Sequence, residues 1–384
     1  VSPGLRVGLF LAPVFAAAAM TTAFLPAYLL AAGLDAVAIG SLLAVSTVVR
    51  MLAVPVWGAI ADRGGNVSGT LLAASCLAGV ASLLLLPAGS FWVLLMVACL
   101  QGAGAASLMP LADAVSLALS ARGRLDYGRV RGAASGCYTA ASLAGGWLVG
   151  VFGPRVVPVF CGLGYLLAAG ATRLIAAETA TARRAGLAGI PRLFLNRPFV
   201  LTLTASALSQ GSHAALYALS TLHWQANGLS SGMIGVFWAE GLLVESLVFL
   251  FCRPLADRIG PARLTALSAG LAVVRWLVTG STTAALPLLL VQPLHGVIFA
   301  SQHLSAMQIL SRQLPPERAG AAQTLYAALG GALPVSVFTV IAGHLYDGTG
   351  HVWLLMAGIA ACGLVIAPAL SAAIARRSPP APGR

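Results

Sequence analysis

The sequence predicts an all-α integral membrane protein of twelve transmembrane helices, arranged as two pseudo-two-fold related six-helix bundles. Three observations predict it. Of the 384 residues, 59% are hydrophobic and only 8% are charged, against roughly 25% charged in soluble domains. Apolar stretches of about 18 residues or more, each able to cross about 30 Å of hydrocarbon as a helix, recur about twelve times. The chain also repeats itself, second half on first.

The spans follow in order. The first, 5–32, is too long to be a removable signal peptide and has no small-residue cleavage site ahead of a soluble domain. Spans two to six cover 36–62, 67–88, 91–118, 128–152 and 155–177, and carry Arg50, Asp113 and Arg131 within apolar surroundings. The stretch "AAETATARRAGLAGIPRLFLNRP" is polar, basic and free of helical apolar periodicity, so it reads as a cytoplasmic linker. It divides a first bundle (1–177) from a second (198–375), with the linker itself at 178–197 and a cytoplasmic tail at 376–384. Spans seven to twelve cover 198–226, 230–255, 262–283, 285–312, 318–346 and 351–375.

Charge orients these spans. The net charge is +12 and all 22 basic residues are arginine. Eighteen of the 22 fall in the loops and span ends of one side, Arg155 alone falls at the opposite side, and Arg50, Arg131 and Arg275 lie deeper inside spans. The positive-inside rule therefore puts both termini and the linker in the cytoplasm, as expected for a bacterial inner membrane, with lipid rather than nucleic acid as the partner of the basic face. Six cysteines are scattered singly, without metal-ligand spacing, and read as small buried hydrophobes. No nucleophile and base stand at a recognisable spacing, and no glycine-rich nucleotide loop follows a strand. No enzyme activity and no cofactor are expected, and the chain is expected to act as a monomer.

Shifting the sequence by 195 residues aligns "GLDAVAIGSLLAVSTVVRMLAVPVWGAIADRGG" (33–65) with "GLSSGMIGVFWAEGLLVESLVFLFCRPLADRIG" (228–260) without a gap, 11 of 33 positions being identical. At an offset of 194, "LQG" (100–102) falls on "LHG" (294–296). Two parallel six-helix repeats are what alternating-access transporters use, with the substrate near the midplane. A small-molecule substrate is therefore expected.

Ionisable and polar groups then mark the candidate site. Ser206, Gln210, His213, Tyr217 and Ser220 follow helical spacing and predict one continuous polar stripe on span seven. Glu240 and Glu245, five residues apart, point roughly 140° apart around span eight, with Arg275 as a partner for either. Asp113 and Arg131 each stand nine residues from Arg122, so they can meet across a hairpin. Ions this numerous are not expected to be buried unpaired, since one charged side chain at the bilayer centre costs about 2.5–3.5 kcal/mol on insertion scales.

"GAIADRGG" (58–65) and "RPLADRIG" (253–260) resemble the cytoplasmic GxxxDRxG loops of the major facilitator superfamily, with Arg253 where the first glycine of the second copy would stand. The resemblance implies a gating motif at Gly58, Asp62, Arg63, Asp257 and Arg258, in which an acid at one helix end ties to a neighbouring helix end. "PLADAV…LDYGRVR", "QGSHAALYALSTLHWQANG", "VVRW" and "LHGVIF" extend it to the oligosaccharide/proton symporters typified by lactose permease, and more closely to the 3-phenylpropionate transporter subgroup. This resemblance implies Asp113, Arg131 and Tyr138 as substrate-binding residues, Arg275 and His295 as proton-coupling residues, and Glu240 or Glu245 as the coupling acid. The glutamate that the family carries one turn after the histidine is here Ile298, and Glu245 is read as its substitute.

Arg50 is explained by the repeat, because its aligned residue is Glu245. Opposite signs at equivalent places are expected to compensate each other across a central cavity, with Arg50 available to an incoming carboxylate through a two-toothed pair. Gln210, His213 and Tyr217 join the substrate set. The expectation is a proton-coupled symporter importing a small organic acid such as an aromatic carboxylate. A proton-coupled sugar or nucleoside symporter is the same-fold alternative, and a non-transporting receptor or lipid-handling protein the alternative of another class.

Overall fold

The computed structural model describes residues 2–175, 190–315 and 318–376. The linker over 178–189 and the tail from 377 onward lie outside the described residues. No strand occurs among those described. The physical reason is general: hydrocarbon offers no hydrogen bonds, so a chain that crosses it must satisfy its own backbone, and a helix does so within one segment.

Among the described residues, twelve helical segments stand at the expected spans. They are α1 (Pro3–Ala31), α2 (Ala36–Gly64), α3 (Val67–Leu84), α4 (Phe91–Ala121), α5 (Tyr127–Phe152), α6 (Val156–Ile175), α7 (Arg197–Gly211 continued by Ala214–Ala226), α8 (Ser231–Phe251), α9 (Pro261–Ser281), α10 (Ala285–Gln313), α11 (Ala319–Leu345) and α12 (His351–Ala375). Ten of these are long and apolar enough to cross a membrane; α5 and α7, the two with the most arginine, serine, glycine and other polar residues, complete the set. Side-chain caps start many of them: Asp35 accepts from Ala38 N at 2.8 Å, Asn66 from Gly69 N at 2.7 Å, Asp126 from Arg129 N at 3.1 Å and Asn196 from Phe199 N at 3.1 Å. Each cap satisfies one of the N–H groups that a helix start leaves unpaired.

The part of the linker that is described holds a short helix, Ile190–Leu193, where sequence periodicity indicated none. Leu193 is fully buried against Phe199, Leu310 and Ala322, so burial rather than periodicity orders this turn.

Packing follows the sequence repeat. In the first half α1 lies against α5 and α6, and α3 against α4 and α6; in the second, α7 lies against α11 and α12, and α9 against α10 and α12. By contact the chain forms two compact units. The first comprises the first six spans together with Leu216–Leu243 and Thr339–Tyr346; the second comprises the described chain from residue 190 to Ala215, Val244–Phe338, and the residues from Asp347 onward.

Within the first unit, glycine allows two repeat-related helix crossings to close to backbone contact. A Cβ built on Gly235 of α8 would lie 2.6 Å from Ser142 O and 3.1 Å from Gly146 Cα of α5; one built on Gly40 of α2 would lie 2.9 Å from Thr339 O and 3.3 Å from Gly343 Cα of α11. Gly40 and Gly235 are the aligned residues of the repeat. Small residues at crossings are how membrane helices gain contact when the hydrophobic effect cannot drive them together. Thr221 adds a hydrogen bond to Ala23 O at 2.6 Å.

The loop copies end alike. Gly65 (φ 58°) and Gly260 (φ 79°) both take positive φ, which a side chain would disfavour. Gly58, by contrast, has open space where a Cβ would stand, so nothing steric demands glycine there, in keeping with Arg253 at the equivalent place.

Gly235→Leu should lower the thermal unfolding midpoint in detergent, overpacking costing about 1–3 kcal/mol. Gly58→Leu should leave that midpoint unchanged, and equal midpoints for the two variants would contradict the crossing geometry.

Candidate functional site

In the first unit, polar groups collect at two places. Asp113, in the second part of α4, meets Arg131 at the start of α5: Arg131 Nη1 reaches both carboxylate oxygens, at 3.1 and 3.3 Å. The Arg131 guanidinium also stands 4.8 Å over the Phe15 ring of α1, and the Tyr127 hydroxyl donates to Asp113. A cation over an aromatic face is attracted by the ring's quadrupole. The hairpin brings these residues together because α4 and α5 are antiparallel and joined by a short turn.

The second place surrounds Arg50. On α2 it packs beside Gly102 of α4, whose built Cβ would lie 3.8 Å from Arg50 Cβ. Its charge acts on the Tyr165 phenol of α6, as does that of Tyr138 of α5. Tyr165 is only 2% exposed, whereas Arg50 itself is exposed, so its charge reaches the phenol without being buried in the interior of its unit. Thr21 completes the patch, paired with Tyr165 and lying 3.3 Å from Cys161 Sγ.

The second unit buries a denser set. Arg275 of α9 is 1% exposed. Its Nη2 donates to Gln292 Oε1 at 2.7 Å, its Nη1 lies 3.4 Å from His295 Nδ1, and its Cζ stands 4.4 Å from the Trp276 ring centroid. His213 packs edge-on to His295 and to Trp276, both at 5.0 Å, while its Nδ1–H donates to Ser209 O at 2.8 Å. Trp276 is in turn held by Ser212 Oγ at 3.2 Å and stacks on Trp353 at 5.9 Å.

Helix breaks deliver these groups. His213 sits between the two parts of α7, and Gln292 between the two parts of α10, ahead of Leu294. Pro293 withholds a backbone N–H at the second break. Interrupted helices are tolerated in a membrane where protein or a water-filled cavity satisfies the freed backbone groups, and here they turn polar side chains inward.

The polar stripe expected on α7 is not continuous. Ser206 and Ser220 are fully buried; Ser206 accepts from Gln302 Nε2 at 2.9 Å, and Ser220 donates back to Leu216 O at 2.6 Å. The helix is interrupted at Ser212–His213, so the spacing counted through it is not that of one unbroken helix. Gln210 and Tyr217 remain half-buried, Tyr217 stacking on Trp238 at 6.2 Å. Arg50 and Glu240 belong to the first unit, Glu245 to the second. Glu240 Oε2 is enclosed with no hydrogen-bond partner among the described residues.

The two loop copies differ. Asp257 accepts from Arg312 Nη2 of α10 at 2.9 Å and from Gln308 Nε2 at 3.3 Å, and Gln308 Nε2 also bonds Ala256 O at 3.0 Å. Asp62 has no ion pair among the described residues. At the two repeat offsets, Arg312 corresponds to Leu117 and Ala118 of α4, so the first copy lacks the cation that the second uses. Arg63 and Arg258 are exposed.

Sequence reasoning passed over Gln292, Tyr165, Phe15 and Tyr127. Only Gln292 carried a local signal, a polar residue next to proline inside an apolar span.

A helical membrane protein with repeat-related halves and ions buried in its spans is a transporter, and the comparisons agree. The chain belongs to the MFS_1 like family, whose model matches residues 5–357. It is 32% identical over 265 residues to the "Probable 3-phenylpropionic acid transporter" of Escherichia coli (strain K12), covering 68% of this chain and 70% of that one. It is 29% identical over 324 residues to the maltose permease of Geobacillus stearothermophilus, covering 82% of this chain and 80% of that protein. Among solved structures it resembles the nucleoside transporter NupG (TM-score 0.79, 15% identity, 97% of this chain and 98% of that one). It also resembles a bacterial homolog of the human lysosomal transporter Spinster, inward-facing and unoccupied (TM-score 0.79, 14% identity, 98% of both chains). The protein is thus a multi-pass membrane transporter of the major facilitator kind, acting on a small-molecule substrate.

Asp113→Asn should lower thermal stability more than Asp257→Asn. The Asp113–Arg131 side chains are 24% and 38% exposed, against 46% and 54% for Asp257–Arg312, and an exposed pair contributes only about 0.2–1 kcal/mol. A thermal-melt series of the two variants tests the order; the reverse order would contradict it.

Proposed function

We propose that the protein is a proton-coupled symporter of the bacterial plasma membrane, importing a small aromatic carboxylate such as 3-phenylpropionate by alternating access. The observation that carries this reading is the fully buried Arg275, hydrogen-bonded to Gln292 and His295, in a chain 32% identical to a protein described as a probable 3-phenylpropionic acid transporter. A transporter of neutral solutes has little use for a third cation inside its spans, whereas an organic anion needs fixed positive charge along its route.

Arg50, Arg131 and Arg275 supply that charge, with Tyr138, Gln210, His213 and Tyr217 as polar and aromatic lining and Asp113 holding Arg131 in place. Glu245 and Glu240 are the acids of α8, and a carboxyl within a membrane span is a proton site by default. Coupling follows from charge: an anion crossing with a proton adds no net charge to the site, so both can move where either alone is disfavoured. Arg275 and His295 assist by repelling the proton when the substrate has left. The asymmetric distribution of arginine supports cytoplasmic termini. Asp62, Arg63, Asp257 and Arg258, with Gly58, form the cytoplasmic gating loops.

A second reading, symport of a sugar or nucleoside, has the Asp113–Arg131 pair and the 29% identity to a maltose permease in its favour. Uptake of labelled 3-phenylpropionate into membrane vesicles decides between them. An inward-directed proton gradient should drive accumulation at least several-fold above equilibrium in the wild type. Arg50→Gln should weaken uptake, and Glu245→Gln should leave exchange while abolishing gradient-driven accumulation. Accumulation that ignores the gradient would sink the coupling, and competition by maltose but not by aromatic acids would transfer the function to the second reading.

A further inference from the structure

Helix α10 carries three rings at four-residue intervals, His295, Phe299 and His303, which places them on one face of the helix. The centroids of His295 and Phe299 are 6.4 Å apart with their planes tilted by 32°; those of Phe299 and His303 are 6.2 Å apart and parallel within 4°. All three are only partly covered by protein. Imidazoles turned toward acyl chains are disfavoured, so the open side of this ladder faces water rather than lipid.

The two ends of the ladder differ in chemistry. At the His303 end it is walled by carbon: Phe249 of α8 meets His303 edge-on at 5.6 Å and Tyr326 of α11 meets it at 5.8 Å, the Tyr326 hydroxyl lying 3.4 Å from His303 Nδ1. Tyr326 stands two residues before a π-helical turn, Ala328–Ala332, a kind of interruption found frequently at functional sites. At the His295 end stand donors of hydrogen bonds. Arg275 donates to Gln292 Oε1, which fixes the orientation of that amide, because reversing it would turn NH2 toward the guanidinium. Gln292 is 1% exposed, and its Nε2 is enclosed with no acceptor among the described residues. A buried N–H without an acceptor is costly, so the position asks for an oxygen that the described residues do not provide.

We propose that this ladder is the substrate's receptor and selects the length of its side chain. The carboxylate of an arylalkanoate takes the donors at the Gln292–His295 end, its ring lies along Phe299, and the His303–Phe249–Tyr326 wall closes the far end. With C–C bonds of about 1.5 Å, a two-carbon spacer puts the carboxyl carbon about 5 Å from the ring centroid, against about 3 Å in benzoate. A three-carbon spacer extends it to about 6 Å, so the longer acids approach the 6.4 Å step from His295 to Phe299 and benzoate does not. The proposal rests on the aromatic-acid reading above and adds to it the residues that hold the ring and the rule by which chain length is read.

The test is competition by benzoate, phenylacetate, 3-phenylpropionate and 4-phenylbutyrate against labelled 3-phenylpropionate uptake, in wild type, Phe299→Leu, Phe299→Ala and Gln292→Leu. Wild type should favour 3-phenylpropionate and 4-phenylbutyrate over benzoate at least about tenfold. Both Phe299 variants should flatten that order, and Gln292→Leu should weaken all the acids while keeping the order; the leucine variant keeps the volume of the site should the alanine variant fail to fold. A ligand-induced rise in melting temperature, present in wild type and lost in Gln292→Leu, reads binding apart from transport. Aromatic acids transported by wild type with the same order in Phe299→Leu would overturn the ladder alone. Uptake of none of the four acids by wild type would overturn the aromatic-acid reading and the ladder with it.

Discussion

Everything in this structure answers to one constraint: hydrocarbon solvates neither a backbone amide nor an ion, so each must be satisfied by the protein itself. The twelve spans meet the first demand by being helical. The second demand falls hardest on Arg275, which is 1% exposed and whose guanidinium is met by Gln292, His295 and Trp276. The breaks in α7 and α10 belong to the same solution, because a straight helix would carry His213 and Gln292 past the guanidinium rather than toward it.

The repeat shapes packing more strictly than it shapes chemistry. In the glycine crossings of α2 with α11 and α8 with α5, Gly40 and Gly235 are 195 residues apart and their partners Gly343 and Gly146 are 197 apart. Close approach of backbones is governed by the absence of a side chain, and a glycine serves equally in either copy. Ionic groups behave otherwise. Arg50 and Glu245 have opposite signs at aligned positions, and Asp257 is latched by Arg312 whereas Asp62 meets no such cation among the described residues. Duplicated scaffolds with diverged charges suit a transporter, whose halves must move alike while handling a substrate that is not itself symmetric.

Aromatic rings provide the complement to the charges. In the first unit Phe15 lies under Arg131, and in the second Trp276 lies under Arg275. The two guanidiniums differ in what else they meet: Arg131 is also paired with the Asp113 carboxylate, whereas Arg275 is hydrogen-bonded to the neutral side chain of Gln292.

Much of this was legible in the sequence. Hydropathy alone determined the spans, because their length is set by bilayer thickness. The repeat aligned α2 with α8 and α4 with α10, and the spacing of Asp113 and Arg131 about Arg122 determined that they could meet, since a helical hairpin fixes depth by residue count. What only the tertiary structure decided was phase and partnership. The break at Ser212–His213 split a stripe that an unbroken helix would have made continuous, and no periodicity analysis can count through an interruption it does not know. The order around Leu193, Arg275's choice of Gln292 and His295, and the Arg312 latch on Asp257 all join residues distant in the chain. Such pairings depend on which helix faces come together, and that is settled by packing between helices rather than by the pattern within any one of them.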